Sequence, residues 1–110
     1  MEMKLDGRSF DKIKAGTKTV ELRLNDEKRK NIKVGDVIVF TRLGGSETLR
    51  VRVTGLRAFA DFAELFGNYD KIAMGYNADD VADWRDMEKY YSIEEQRKWG
   101  ALAIEIAKTV

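Results

Sequence analysis

Three residue types that can act on a polar ligand lie close together in the segment Lys18–Arg23. Lys18 can place a positive charge against a phosphate, and Arg23 offers a planar fork for a phosphate or a base edge. Glu21, between them, can accept a hydrogen bond from an exocyclic amine or act as a general base. The trio therefore favours a phosphate- or nucleobase-containing ligand. The alternative interpretation is that Glu21 and Arg23 form a structural ion pair, and the two interpretations are compatible.

A helix followed by a strand must position these residues. Residues 9–15 are typical of a short helix with Ser9 as its N-cap and Gly16 directly after its end. From Thr17 to Leu24 apolar and polar residues alternate, which predicts a strand. The helix end therefore falls immediately before the charged residues.

The alternation also predicts where the three side chains point. Glu21 and Arg23 are two residues apart, so they project from one face of the strand with their backbones about 7 Å apart. Lys18 is an odd number of residues from both, so alternation alone would place its side chain on the opposite face of the strand. We expect the turn after Gly16 to bring Lys18 to the same cavity.

The remaining pattern predicts a hairpin, three helices and a closing strand. The predicted ranges are strands 37–42 and 48–57, helices 61–66, 79–90 and 92–100, and a strand over 101–107. Because helices separate the early strands from the last one, we expect the last strand to return to the early sheet. The predicted fold class is α+β, a small β-barrel.

Composition excludes several kinds of chemistry. The 110 residues include no cysteine and no histidine, which excludes disulfides, thiolate zinc sites, imidazole ligands and a Ser-His-Asp triad. Any metal site would need oxygen ligands alone, and we predict neither a metal nor a cofactor. The length fits a single domain over residues 1–110. The charged N-terminus and the lack of a long apolar run predict a cytoplasmic protein without a membrane partner.

The small net charge of +1 hides an asymmetry between the two halves. Residues 1–57 contain 14 Lys and Arg against 8 Asp and Glu, whereas residues 58–110 contain 6 against 11. A basic half can face a phosphate-bearing partner. The two halves can equally attract each other within one compact domain.

Weaker candidates lie elsewhere in the chain. Basic residues that can contact a phosphate backbone, or simply stay solvated, are Lys28, Arg29, Lys30, Arg50 and Arg52. Aromatic residues that can stack on an unpaired base, or simply pack in the core, are Trp84, Tyr90 and Tyr91. The acidic residues Asp79, Asp80, Asp83 and Asp86 are best interpreted as the solvated face of the predicted helix rather than a Mg²⁺ site.

The segment Gly16–Arg23 resembles the ASCH domain family, whose signature is G-x-K-x-x-E-x-R. The four fixed positions are filled here by Gly16, Lys18, Glu21 and Arg23. The flanks that also resemble the family are the preceding helix, residues 25–30, Val34-Gly35-Asp36, Tyr90-Tyr91-Ser92, Glu94-Glu95, Trp99-Gly100 and the closing strand. The resemblance implies a PUA-like barrel with helices packed over one side and an RNA-binding cleft between them, lined by the signature residues.

The sequence and the resemblance together predict an RNA-binding module for single-stranded or modified RNA or a nucleotide. The expected ligand-binding residues are Gly16, Lys18, Glu21, Arg23, Tyr90 and Tyr91. No preference for DNA and no oligomeric state follow from the sequence.

Two alternative functions stay open. One is a nucleotide or small-molecule sensor that uses the same cleft. The other is a metal-independent hydrolase, either ribonuclease-like or acetylcytidine amidohydrolase-like, with Lys18 and Glu21 as catalytic groups. The amidohydrolase branch of the family uses a lysine, a threonine nucleophile and a glutamate. Lys18 matches that lysine, but Glu21 stands at the position of the threonine.

Overall fold

The computed structural model describes residues 1–109. Five strands in this range are β1 (Glu2–Leu5), β2 (Val20–Leu24), β3 (Val37–Arg42), β4 (Thr48–Phe59) and β5 (Ala101–Lys108). The helices of the same range are α1 (Gly7–Ala15), α2 (Phe62–Phe66), α3 (Ile93–Trp99) and a 3₁₀ helix over Trp84–Lys89. The α+β class is confirmed.

The strands form one mixed sheet in the order β1-β3-β4-β5-β2, curled into a half-barrel. β1 pairs with β3 in parallel, and the other three pairings are antiparallel. The last strand, β5, lies between β4 and β2, so the predicted return to the early sheet is confirmed. β1 and β2 are left as the two edge strands. The seam between them is where the barrel stays open.

Two apolar clusters hold the sheet and the helices together. The first fills the inside of the curl, where Phe10 and Ile13 of α1 pack against β3, β4 and β5. The second covers the opposite face of β2 and β5, where Phe62 and Leu65 of α2 pack against Val20 and neighbouring residues. β2 is therefore covered on both faces.

α1 begins earlier than predicted. Its N-cap is Asp6, whose Oδ1 accepts a hydrogen bond from the backbone N of Ser9 at 2.9 Å. Ser9 is therefore inside the first turn and not its cap, which leaves the Ser9 hydroxyl free to contact other elements. The predicted end is confirmed, because Gly16 adopts φ +86° directly after Ala15.

The predicted helix over residues 79–90 is wrong, except for its last turns, which are 3₁₀. Aspartates in this segment bind backbone N–H groups and so favour turns over a helix. Asp80 accepts from the backbone N of Asn77 at 2.7 Å, and Asp83 accepts from the backbone N of Arg85 at 2.9 Å. The expected solvated helix face of acidic residues therefore does not form.

Two further differences concern strands. β1 was not predicted, because only Met3 and Leu5 alternate with charged residues over its four positions. β4 continues to Phe59, past a register shift between Val53 and Gly55. Within residues 1–109 no helix combines the length and the apolar composition needed to span a membrane.

Candidate functional site

A cavity of about 310 Å³ opens at the seam between the two edge strands. Its walls come from β1, the first turn of α1, β2 and the segment from the end of α2 to Tyr91, which includes the 3₁₀ helix. Lys18, Glu21 and Arg23 all line it, together with Tyr90 and Tyr91. We call this cavity the seam cleft.

The structure brings the charged trio together in one cluster. Lys18 Nζ lies 2.9 Å from Glu21 Oε1, while Arg23 Nε and Nη2 lie 2.8 and 2.7 Å from Glu21 Oε2. Lys18 and Glu21 are only 7% and 4% exposed. Both carboxylate oxygens of Glu21 are thus paired with a cation.

Pairing decides the charge state of the cluster. Burial on its own raises the pKa of Glu21, but the nearby charges and hydrogen bonds of Lys18 and Arg23 outweigh it, so the pKa is lowered. Burial on its own lowers the pKa of Arg23. The Glu21 carboxylate and the Tyr91 phenol raise it by more, so the pKa of Arg23 is raised. The cluster therefore carries one carboxylate and two cations, a net charge of about +1.

Glu21 and Arg23 face the inside of the curl. They pair across the sheet with Ile104 and Leu102, which belong to the first apolar cluster. Directly opposite residues share one face of a sheet. The charged face of β2 is thus turned toward the core at the open seam and not toward bulk water, which explains why it is ion-paired.

Arg23 also connects the two edge strands. Its Nη2 donates a hydrogen bond to the backbone O of Lys4 at 3.0 Å, across the seam from β2 to β1. One guanidinium fork therefore binds Glu21 and holds β1 beside β2. The structural-pair and cleft interpretations of Glu21 and Arg23 describe the same arrangement.

Lys18 reaches the cluster although its parity differs from that of Glu21. It precedes β2, in a stretch where the backbone N of Thr19 donates to Ala73 O at 2.9 Å. Gly75, with φ +107°, packs over the Lys18 stem, and a Cβ there would lie 2.9 Å from Lys18 Cδ. Any larger residue at Gly75 would displace Lys18.

The first turn of α1 provides a second partner for Lys18. Lys18 Nζ donates to Ser9 Oγ at 3.3 Å. An ammonium group has three N–H donors, and Ser9 and Glu21 account for two of them among the described residues. The third donor has no partner among these residues.

The two predicted tyrosines play different structural parts. Tyr91 stacks on Phe62 with ring centroids 6.2 Å apart and an interplanar angle of 2°. Tyr90, by contrast, is 64% exposed at the rim of the cleft. Only Tyr90 therefore presents a ring on which a planar ligand can stack without disturbing the core.

Sequence reasoning missed much of the cleft wall. Apolar and aromatic side chains line it from Leu22, Phe66, Met74, Tyr76 and Met87, and charged side chains line it from Lys4, Asp6, Arg8, Asp86 and Lys89. Burial and a 2.6 Å hydrogen bond to Asp86 raise the pKa of Tyr76, so its hydroxyl stays protonated. The residues Asp6 to Ser9, at the start of α1, carried a partial signal, since a helix was predicted there and helix N-termini can bind anions.

Other sequence candidates lie outside the cleft. Gly16 does not line it, and its part is conformational, at the end of α1. Trp84 does not line it either and lies under the Arg85 guanidinium, 5.0 Å from ring centroid to Cζ. Arg50 and Arg52 lie on the outer face of β4. Among residues 1–109 there is no group of three or more side chains placed to hold a metal ion.

The fold and the site together define a small PUA-like barrel protein with a charged cleft at its open seam. The sequence profile of the ASCH domain matches residues 3–110, and the chain belongs to the ASCH domain family. This confirms the resemblance seen in the sequence. The family is commonly associated with RNA.

Two solved structures have the same fold over nearly their whole length. The crystal structure of hypothetical protein PH0355 is 35% identical with a TM-score of 0.82, and covers 98% of this chain and 97% of its own. The solution NMR structure of protein PF0455 from Pyrococcus furiosus is 31% identical with a TM-score of 0.64 and the same coverage. No curated protein has significant similarity to this chain.

Proposed function

We propose that this ASCH protein binds single-stranded RNA or a nucleotide in the seam cleft, with one base inside the cleft and its phosphate at the rim. The proposal includes a single domain over residues 1–110 and a cytoplasmic location. The observation that carries it is the ion-paired Lys18–Glu21–Arg23 cluster in a cleft that apolar, aromatic and further charged side chains also line.

The distribution of charge favours the base, not the phosphate, as the buried part. The Lys18–Glu21–Arg23 cluster has a net charge of only about +1. Its N–H donors that have no protein partner among the described residues suit neutral acceptors such as base carbonyl oxygens. Met74 and Met87 supply apolar contact for a ring, and Tyr90 supplies a stacking surface. Exposed Arg8 and Lys89 at the rim can meet the phosphate.

Size supports a single unpaired nucleotide. The cleft volume of about 310 Å³ is at the small end of ligand pockets and cannot admit a duplex. RNA-binding proteins read sequence mostly on unpaired bases that are splayed out and stacked on aromatic side chains. The seam cleft fits that mode.

The geometry favours binding over hydrolysis by Lys18 and Glu21. A lysine that activates a nucleophile must be neutral, whereas Lys18 donates to a carboxylate in an ion pair. The lowered pKa of Glu21 keeps it ionised, so it cannot serve as a general acid, and it also makes Glu21 a weak general base whose two oxygens are both already paired with cations. Both groups are therefore arranged as fixed charges.

Residue-resolved amide titration tests the proposal. Mononucleotides and short single-stranded RNA are expected to shift the amides of Lys18, Glu21, Arg23 and Tyr90. Tyr90→Ala should weaken binding by about 1 to 3 kcal/mol because it removes a stacking surface. Tyr90→Phe keeps the ring and should bind like the parent protein.

Two results would count against the proposal. One is a folded protein whose seam-cleft amides stay unmoved by every nucleotide and RNA. The other is release of a cleaved product during the titration, with loss of that product in Lys18→Gln, which would favour the hydrolase.

A further inference from the structure

Two basic segments that are far apart in sequence meet at Trp99. The Lys30 ammonium lies 5.3 Å from the centre of the Trp99 ring, and the Lys98 ammonium lies 4.9 Å from it. The two positive charges are thus held within about 10 Å of each other by one indole. We call Lys28, Lys30, Arg97, Lys98 and Trp99 the Trp99 patch.

The cations of the patch are exposed and nearly free of carboxylate partners. Lys28, Arg97 and Lys98 have no carboxylate within 4.0 Å among residues 1–109, and Lys30 has only Glu27, at 3.8 Å. By contrast, Arg29 in the same segment is paired with Asp26. Cations near the C-terminus of a helix interact favourably with its dipole, which accounts for Arg97 and Lys98 in the last turn of α3. The dipole does not account for Lys28 and Lys30, which lie outside that helix.

The patch lies at the end of the strand that carries the cleft. The backbone N of Asn25, directly after β2, donates to Gly100 O at 3.2 Å, directly after α3. Arg23 of the cleft is two residues before Asn25, or about 7 Å along the strand. Trp99 packs against the second apolar cluster, on the opposite face of β2 from Arg23. A ligand in the seam cleft would therefore reach the patch by passing around the end of β2.

We propose that the Trp99 patch binds the phosphate backbone of single-stranded RNA beyond the nucleotide held in the seam cleft. This inference rests on the proposed function and names its ligand as an RNA strand and not a free nucleotide. Phosphates are spaced regularly along such a strand, so neighbouring cations that lack protein partners are complementary to it. The indole fixes two of the lysines and lowers the entropy lost on binding.

The test compares two ligands and two double variants of the full chain. Lys30→Gln with Lys98→Gln removes two patch charges, while Arg50→Gln with Arg52→Gln removes two exposed charges on the outer face of β4 as a matched control. The ligands are a mononucleotide and a short single-stranded RNA, measured by fluorescence anisotropy over a range of salt concentrations.

The patch variant should bind the mononucleotide normally and the RNA more weakly. Its slope of log affinity against log salt should fall by about 1.4, the value for two lost phosphate contacts on a single strand. The control variant should keep the parent slope.

Three results would overturn the inference while leaving the proposed function standing. They are equal affinity of the parent protein for both ligands, an unchanged slope in the patch variant, or an equal change in the control. If the parent protein binds neither ligand, the proposed function fails first.

Discussion

Two groups of cations beside β2 follow opposite rules. Lys18 is buried and Arg23 is half-buried, and they share one carboxylate, whereas Lys30 and Lys98 are exposed and rest on an indole. A buried charge without a partner is costly, so the first group must be paired for the protein to fold. An exposed charge keeps its hydration, so the second group can stay unpaired and remain available to a partner. The difference predicts that changes in the first group act on stability and changes in the second act on binding.

The largest effect is expected from Glu21→Gln. This change leaves buried Lys18 and half-buried Arg23 without their carboxylate, and breaking a buried ion pair typically destabilises a protein by about 3 to 5 kcal/mol. Urea unfolding followed by circular dichroism measures the change in the free energy of unfolding. A loss below about 1 kcal/mol would show that the cluster is not the buried network described here.

The same cluster predicts instability in acid. The folded pKa of Glu21 lies below its ordinary value of 4.5. The stabilisation it gives is therefore present above pH 4.5 and is lost as the pH falls through the folded pKa. Thermal melts at decreasing pH should show the parent protein losing stability more steeply than Glu21→Gln. If the parent protein and Glu21→Gln lost stability equally as the pH falls, Glu21 would not be the cause of the acid instability.

A smaller effect is expected from Arg23→Lys. Lysine keeps the charge but cannot bind both Glu21 and the Lys4 carbonyl with one planar fork. We expect a loss of about 1 to 2 kcal/mol in the free energy of unfolding, with amide hydrogen exchange in β1 faster than in the parent protein and exchange in β4 little changed. An exchange rate in β1 equal to that of the parent would mean that Arg23 does not hold the seam.

The smallest effect on stability is expected at the Trp99 patch. Lys30→Gln with Lys98→Gln should change the free energy of unfolding by less than about 0.5 kcal/mol per residue, since both side chains are exposed. Denaturant unfolding of this double variant makes the comparison with Glu21→Gln direct. A loss of several kcal/mol would mean that the patch is structural.

The elements that could be predicted from the sequence are those with a strong local signal. The predicted helices 61–66 and 92–100 form as α2 and α3, with Asp61 as the N-cap of α2 and a capping box of Ser92 and Glu95 at the start of α3. The hairpin of β3 and β4 follows from clear alternation. Such signals act over a few residues and survive in the fold.

Two other features were not predicted, for different reasons. β1 is too short to be recognised alone and is defined by its pairing with β3, far along the chain. The segment 79–90 has helical composition, but its aspartates bind nearby backbone N–H groups and Tyr76. These local bonds compete with a helix, and composition alone does not decide between the two.

The sequence by itself determined the family, the α+β class and the residues of the charged trio. The alternation of apolar and polar residues placed Glu21 and Arg23 on the same face of the strand, but it could not show that this face turns toward the core. Only the tertiary structure decided that, because the curl of the sheet covers both faces of β2 and leaves the seam open beside it. It also decided which cations are paired, since ion pairs and cation–π contacts depend on distances between residues far apart in the chain.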